Sequence, residues 1–458
     1  MTRIHGRNED VQFHEPMIPL RLIPPAHRRG GVITVAMPSR DRTVKMVASL
    51  RSLLDTANSP DQIEILIAHD EDDQETAEVA RALNVNMIWQ SPHRYGYVGS
   101  AHYWAYLLNE STGEWVLPTW SDDAIMKTPG WDDMLRAQPA GSVAFLDGNY
   151  PGLTCFPAVH ADALGAIGRL APLPALDTWF EYVGRDAGVL VHPGIYVHQD
   201  RPDLTGCEAD QTHIEGGGAW RSGIGGTLQQ AFYREPYTTW RVEDTAALRT
   251  HRELEDGYQA RLAVWSDIQE QAPLIREAVR GYWKPVVAEL GTRTGESTSA
   301  LLAGASATGG HVYSVDIGPV APSDWWGQTG LWDFLSADDM SSRAKMYIPQ
   351  ELDVLFIDTS HTYEHTLAEL RTYAPRVKPG GTVLMHDPEL RNDDPVMGWE
   401  WVHNAPNAPD YPVAAAIDTY CEETGLTWER QTERPAPAQG RPFYGLGTIR
   451  IPGGDGED

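Results

Sequence analysis

The stretch Leu352–Asp387, "LDVLFIDTSHTYEHTLAELRTYAPRVKPGGTVLMHD", decides the fold. Its first seven residues form an apolar run that ends in an acid, as a buried strand reaching the edge of a sheet does. "YEHTLAELRTYAPRV" carries apolar residues at helical spacing, and Lys378-Pro379-Gly380-Gly381 is a turn. "TVLMHD" is a second apolar run ending in an acid. A strand, a helix and a strand in that order read as one unit of a mainly parallel, doubly covered sheet.

The same alternation extends in both directions. Upstream lie the helix "LIREAVRGYW", the strand "PVVAEL", the glycine-bearing turn "GTRTGES", the helix "TSALLAGA" and the strand "HVYSVDI". Downstream come the helix "PVAAAIDTYCEET" and the strands "LTWERQ" and "FYGLGTIRI". A separate α/β pattern precedes all of this. It runs through the strand Val32–Met37, the helix "TVKMVASLRSLLDTA", the strand "QIEILIAHDEDD", the helix "ETAEVARAL", the strand "VNMIWQ" and the helix "VGSAHYWAYLLNES". The polar, charged segment Thr238–Gln271 between the two patterns reads as a helical connector.

Composition narrows the function. A chain of 458 residues exceeds one ordinary core, so two or three domains are expected. With 41% hydrophobic and 22% charged residues it is an ordinary folded composition. The net charge of −28, with no basic cluster, argues against nucleic acid and anionic membrane as partners. No run approaches the roughly 20 apolar residues of a membrane span, and the first twenty residues read as a polar arm without a signal-peptide core. Cys155, Cys207 and Cys421 are scattered and form no CxxC pair, which predicts reduced thiols and a cytoplasmic setting. Sixteen tryptophans, among them Trp325-Trp326, offer faces that stack on sugar rings as well as core packing.

In the first pattern, acids recur where strands end. A fourth strand, Glu114–Trp120, runs into Ser121-Asp122-Asp123; Arg40-Asp41 follow the first strand, and Asp70 with Asp72-Asp73 close the second. One adjacent acid pair is what a solvated turn supplies. Three strands delivering acids to one edge suit a site, because ligands bind beyond the carboxyl ends of such sheets. Hard carboxylate oxygens suit Mg²⁺ or Mn²⁺ together with a substrate diphosphate.

"MPSRDR", "AHDEDD", "GYVGSAHYWAYLLNESTGEWVLPTWSDD" and "DAIMKTPGWDDML" together resemble the family-2 glycosyltransferases of GT-A fold, over roughly residues 31 to 235. The resemblance implies that Arg40, Asp41, Asp72 and Asp73 line a nucleoside pocket, and that Asp122 and Asp123 bind metal and diphosphate. It also implies a nucleotide sugar as donor and a hydroxyl-bearing acceptor, such as a glycan, glycolipid, metabolite or protein. Asp177, in "PLPALDTWFEYVGRDAGVLVHPGIYVHQDR", is then a candidate general base, or else a helix N-cap. His198 is a candidate third metal ligand, or an ordinary loop histidine.

In the second pattern, Glu289, Gly291 and Gly295 span a strand-to-helix turn, and Asp316 ends the next strand, suited to ribose hydroxyls. The glycine spacing departs from GxGxxG, which favours S-adenosylmethionine over a dinucleotide. "AELGTRTGES", "VDI", the opening stretch and "YGLGTI" resemble class I methyltransferases, especially the macrocin type of sugar and polyketide O-methyltransferases, over roughly residues 273 to 452. In that fold Asp358 and Asp387 end neighbouring strands and hold a divalent ion, with His361 as base and Glu389 as a possible substitute ligand. Asp338 is a candidate adenine contact or a solvated loop acid; His386 is a second base or a packed strand residue.

The expected architecture is therefore α/β with two Rossmann-like domains: an arm 1–30, a GT-A domain 31–237, a helical connector 238–272 and a methyltransferase domain 273–458. The expected function is glycosyl transfer from a nucleotide sugar with Mn²⁺ or Mg²⁺, plus O-methylation by S-adenosylmethionine, of a sugar hydroxyl. Two alternatives stand beside it. One is a methyltransferase with a non-catalytic glycan-recognition domain; the other is a non-enzymatic carbohydrate-binding scaffold.

Overall fold

A computed structural model describes residues 20–22, 28–96, 99–149, 156–172, 175–199, 233, 235–264, 266–318, 326–393, 408–431 and 444–453. Cys155, Cys207, Trp325 and most of the expected arm lie outside them. The chain divides into two compact units, one built from residues up to Thr245 apart from 26–28 and 165–167, the other from those segments and 246–458.

The first unit is organised by a seven-stranded sheet. Its order is Leu190–Val191, Val143–Ala144, Ala158–His160, Gly113–Leu117, Arg29–Pro38, Ile63–Asp70 and Met87–Ser91. The last four strands are mutually parallel, whereas Ala158–His160 runs antiparallel to both its neighbours. All eight residues of Ile63–Asp70 are buried, as expected for a central strand covered on both faces. Met46, Leu50 and Leu53 of the helix Thr43–Thr56 pack on Ile33, Val35 and Ile65 of the sheet, an i, i+4, i+7 stripe.

The fourth strand is shorter than the sequence suggests. It ends at Leu117 rather than Trp120, because Pro118 has no N–H to offer the ladder. Trp120 instead folds into the core, fully buried, with its indole N–H donating to Ser49 Oγ at 2.9 Å. Asp122 and Asp123 therefore sit in a tight connection to the short strand Ala124–Met126, which pairs antiparallel with Val197–Gln199.

In the second unit the order is Trp332–Ser336, His311–Asp316, Val286–Leu290, Leu352–Ile357, Val377–His386, Leu446–Arg450 and Trp428–Gln431. The first five are parallel and the last two join antiparallel. Parallel register sets Ile357 opposite Met385, so Asp358 and His386 are the next residues of adjoining strands. The helix Tyr363–Tyr373 between these strands buries Leu367, Leu370 and Tyr373 against the sheet. Both units are thus Rossmann-like α/β sheets. The strand Trp332–Ser336 had no counterpart in the sequence reading, because Asp333 is exposed and the apolar run is broken.

Candidate active sites

The carboxyl edge of the first sheet gathers the acids as its register requires, since Pro38 lies opposite Ala68 and Val35 opposite Leu117. What neutralises them is arginine. Arg42 donates from Nη1 to Asp122 Oδ1 at 2.5 Å and from Nη2 to Asp123 Oδ2 at 3.0 Å. Ser39 Oγ donates to Asp122 Oδ2 at 2.8 Å, while Asp123 Oδ1 accepts from Ser121 Oγ at 2.5 Å and Gln199 Nε2 at 3.2 Å. Burial pushes the Asp122 carboxyl up to about 6, against the pull of Arg42. All four carboxylate oxygens thus have donors, so the pair as arranged does not fit a divalent cation. His198 lies on Val197–Gln199, opposite Ile125 and next in sequence to Gln199. No cluster of three metal-type ligands includes Asp122, Asp123 or His198 among the described residues.

Arg40 donates to Asp70 Oδ2 at 2.9 Å and grips both oxygens of Asp72, Nη2 to Oδ2 at 2.8 Å, holding that carboxyl down at about 2. Asp73 accepts from the backbone N–H of Asp41 at 3.0 Å and of Thr76 at 3.2 Å, which makes it the N-cap of Gln74–Ala82. Asp41 itself is exposed, in left-handed backbone at φ 52°. Asp177 is not the N-cap of its helix; that place is taken by Ala175, and Asp177 lies in the first turn of Leu176–Ala187. Its Oδ1 accepts from the Thr178 N–H at 2.7 Å, and burial pushes its carboxyl up to about 6.

The second unit brings its candidates together more tightly. His361 Nε2 is 3.0 Å from Asp358 Oδ1 and 3.2 Å from Asp387 Oδ2, and His386 Nδ1 is 3.0 Å from Asp387 Oδ1 and 3.4 Å from Asp358 Oδ1. His361 and Asp387 are both in left-handed backbone, at φ 56° and 63°, a strained conformation for side-chain-bearing residues and one that concentrates at functional sites. Burial opposes the ionisation of Asp358, but His386 and His361 outweigh it and hold the carboxyl well below its usual range. Burial likewise opposes protonation of both histidines, yet the two acids raise them above the ordinary imidazole value.

Whether a cation fits here is answered by orphaned atoms. His386 Nε2 is buried without a hydrogen bond, and His386 Nδ1 and Asp387 Oδ1, although 3.0 Å apart, do not form a well-aligned one, a costly condition in a protein interior. Asp358, His361, His386 and Asp387 offer ligand atoms all within 4.8 Å of one another. The residues fit. Glu389, the possible substitute ligand, is not among the converging residues; its Oε1 is 3.1 Å from Arg430 Nη1.

The glycine turn lies directly against this cluster. Gly291 sits at φ 87°, and a Cβ there would come within 1.8 Å of the Asp358 carbonyl oxygen, so only glycine lets the two strand ends meet. Asp316 Oδ2 accepts from Thr292 N and Arg293 N, each at 2.8 Å, and Oδ1 accepts from Gly318 N at 2.7 Å. Glu289 is fully buried behind the turn, accepting from Ser297 Oγ at 2.6 Å, Thr298 Oγ1 at 2.9 Å and Ser314 Oγ at 2.6 Å. It positions the loop rather than facing a ligand. Gly295, at φ 88°, packs on Trp326, whose ring would lie 2.8 Å from a Cβ. Asp338 is exposed and accepts from Met340 N at 2.7 Å. Arg42, which locks the first site, passed unnoticed within the quoted "MPSRDR".

Residues 288–388 match the family described as "Methyltransferase domain", and this part of the chain is a methyltransferase domain. No curated protein matches the sequence. Among solved structures, the SAH-bound methyltransferase PaMTH1 of Podospora anserina is 16% identical over 48% of this chain and 97% of its own, with a TM-score of 0.30. The SAH-bound O-methyltransferase of Bacillus cereus is 16% identical over 44% of this chain and 90% of its own, at 0.30. The mannosyltransferase PcManGT of Pyrobaculum calidifontis, in complex with GDP-Man and Mn²⁺, is 12% identical over 50% of this chain and 87% of its own, at 0.32. Among the described residues no helix is long and apolar enough to cross a membrane.

Proposed function

We propose that the chain is a bifunctional transferase: an O-methyltransferase using S-adenosylmethionine, joined to a glycosyltransferase whose product it methylates on a sugar hydroxyl. The methyl-transfer half rests above all on one observation, the convergence of Asp358, His361, His386 and Asp387 beside the Gly291 turn. The cofactor would lie over that turn, with Asp316 near its ribose and the 337–341 segment toward its adenine. His361 Nε2 takes the proton of the acceptor hydroxyl as the oxygen attacks the methyl carbon in line, and the methyl–sulfur bond breaks to release S-adenosylhomocysteine. Asp358 and Asp387, at 3.0 and 3.2 Å, orient that nitrogen. Asp358, His386 and Asp387 would hold a divalent cation, which when bound supplies Lewis-acid polarisation of the hydroxyl.

For glycosyl transfer the support is the convergence of Arg40, Asp70, Asp72, Asp73, Asp122 and Asp123 at one sheet edge, together with the motif resemblance. Asp177, pushed up to about 6 by burial, is suited to accept an acceptor proton near neutral pH. A second reading is favoured by the saturated Asp122–Asp123 pair: the first unit recognises a glycan without catalysing transfer.

Mass spectrometry of the purified chain with nucleotide sugars, acceptor glycans and S-adenosylmethionine tests both. Sugar-dependent methylated product that carries the donor sugar supports the bifunctional reading. Methylation of a preformed glycan with no transfer from any donor supports the second. Absence of S-adenosylmethionine binding by calorimetry overturns the methyl-transfer half itself.

A further inference from the structure

A second histidine–carboxylate cluster lies outside the one assigned to methyl transfer. Asp339 follows the strand Trp332–Ser336, whereas His365 and Glu369 are one turn apart on the helix Tyr363–Tyr373. The i, i+4 spacing sets both on one helix face. His365 Nε2 is 3.1 Å from each Asp339 oxygen and 3.7 Å from Glu369 Oε1. Ligand atoms of the three residues lie within 4.8 Å of one another.

Donor counting shows why this cluster is unlike an ordinary ion pair. Glu369 has no exposed surface, and Asp339 is 7% exposed. Their two carboxylates present four oxygens. The hydrogen-bond donors facing them are the Thr359 hydroxyl, 2.9 and 3.0 Å from the two Glu369 oxygens, His365 Nε2 and the backbone N–H of Asp339, and the two carboxyls also face each other. One hydroxyl, one imidazole and one backbone N–H serve the four oxygens of two buried carboxyls that also face each other. Either the carboxyls share a further proton or a cation stands among them. Metal–donor bonds of about 2.1 Å place tetrahedral donors about 3.4 Å apart, and the separations of 3.1 and 3.7 Å bracket that spacing. His365 is half-buried and offers the route from solvent.

We propose that Asp339, His365 and Glu369 form a divalent-cation site, of the one-imidazole, two-carboxylate type that suits Zn²⁺ or Mn²⁺. Its cation fastens the 337–341 segment to the helix Tyr363–Tyr373. The segment is already tied there by the Tyr373 hydroxyl, which donates to the Asp339 carbonyl. The site is separate from the Asp358–Asp387 cluster, although Thr359 follows Asp358 directly, and it does not depend on the methyl-transfer reading.

The test is a Zn²⁺ count on the full-length chain, stripped with chelator, reloaded and desalted, by elemental mass spectrometry. His365→Ala and Glu369→Gln are each expected to retain one equivalent fewer than the unaltered chain. Asp358→Asn is expected to keep that equivalent and lose a different one, so that its double variant with His365→Ala loses both. Glu369→Gln is nearly isosteric and preserves an acceptor for Thr359, and circular dichroism confirms that each variant is folded. Zinc absorption spectroscopy on Asp358→Asn is expected to show nitrogen and oxygen ligands without sulfur. Equal Zn²⁺ content in the unaltered chain, His365→Ala and Glu369→Gln overturns the proposal and leaves a shared proton between the two carboxyls.

Discussion

Arg42 does for Asp122 and Asp123 what a cation was expected to do. A guanidinium is planar and permanently charged, so it spans two adjacent carboxylates in a way no lysine does. Its side chain and both acids are almost completely buried, at 9%, 4% and 3% exposure. Removing one partner of a buried pair leaves uncompensated charge, so Arg42→Ala is expected to destabilise the first unit by about 3–5 kcal/mol, read by urea denaturation. His361 makes the opposite kind of prediction. It is half-buried and fills no core position, so His361→Asn is expected to leave the melting temperature within a few degrees. Methyl transfer is expected to fall about 10²–10⁴-fold, the usual contribution of a positioned proton acceptor. Retention of full activity assigns the proton to another group, and His386→Asn then becomes the next variant to assay. Individual residues were only partly legible. Asp358 and Asp387 stood out as strand-ending acids, whereas the Arg42 clasp spans 80 residues of chain and no local pattern announces it.

The glycine turn joins strand ends into a site, and its support comes from beneath. Burial raises Glu289 to about 7 from an ordinary 4.5. The folded chain therefore keeps this proton at pH values where the unfolded chain has released it. Stability contributed by the group is full below about pH 4.5 and is lost as pH rises toward 7. Glu289→Gln is expected to flatten that decline, measured as melting temperature against pH over this window. An unchanged slope in the variant assigns the decline to other groups. Gly291→Ala forces a Cβ to within 1.8 Å of the Asp358 carbonyl, and is expected to cost at least about 2 kcal/mol and to depress methyl transfer together with stability. Most long helices and central strands were readable within two or three residues, since they carry strong periodicity. Trp332–Ser336 was not, because exposed Asp333 breaks its apolar run, nor were the two- and three-residue strands around residues 143–199, because a strand that short has no period to read and is defined by its partners.

Two compact units, each with its own sheet and core, predict two calorimetric transitions for the intact chain. Arg42→Ala is expected to lower one of them and Gly291→Ala the other; a single transition moved by both variants contradicts that independence. The net charge of −28 further predicts no retention on heparin or nucleic acid at physiological salt.

The alternation of strands and helices, and with it two mainly parallel sheets with acids at their carboxyl edges, was determined by sequence alone. Side-chain periodicity and the rule that parallel strands end on one edge are local or topological facts. Which acid meets which cation was decided by the tertiary structure, through the arginine that occupies Asp122–Asp123 and the histidines His361 and His386 that converge on Asp358 and Asp387. Charge pairing depends on distances of a few ångströms between residues far apart in the chain, and only packing fixes those.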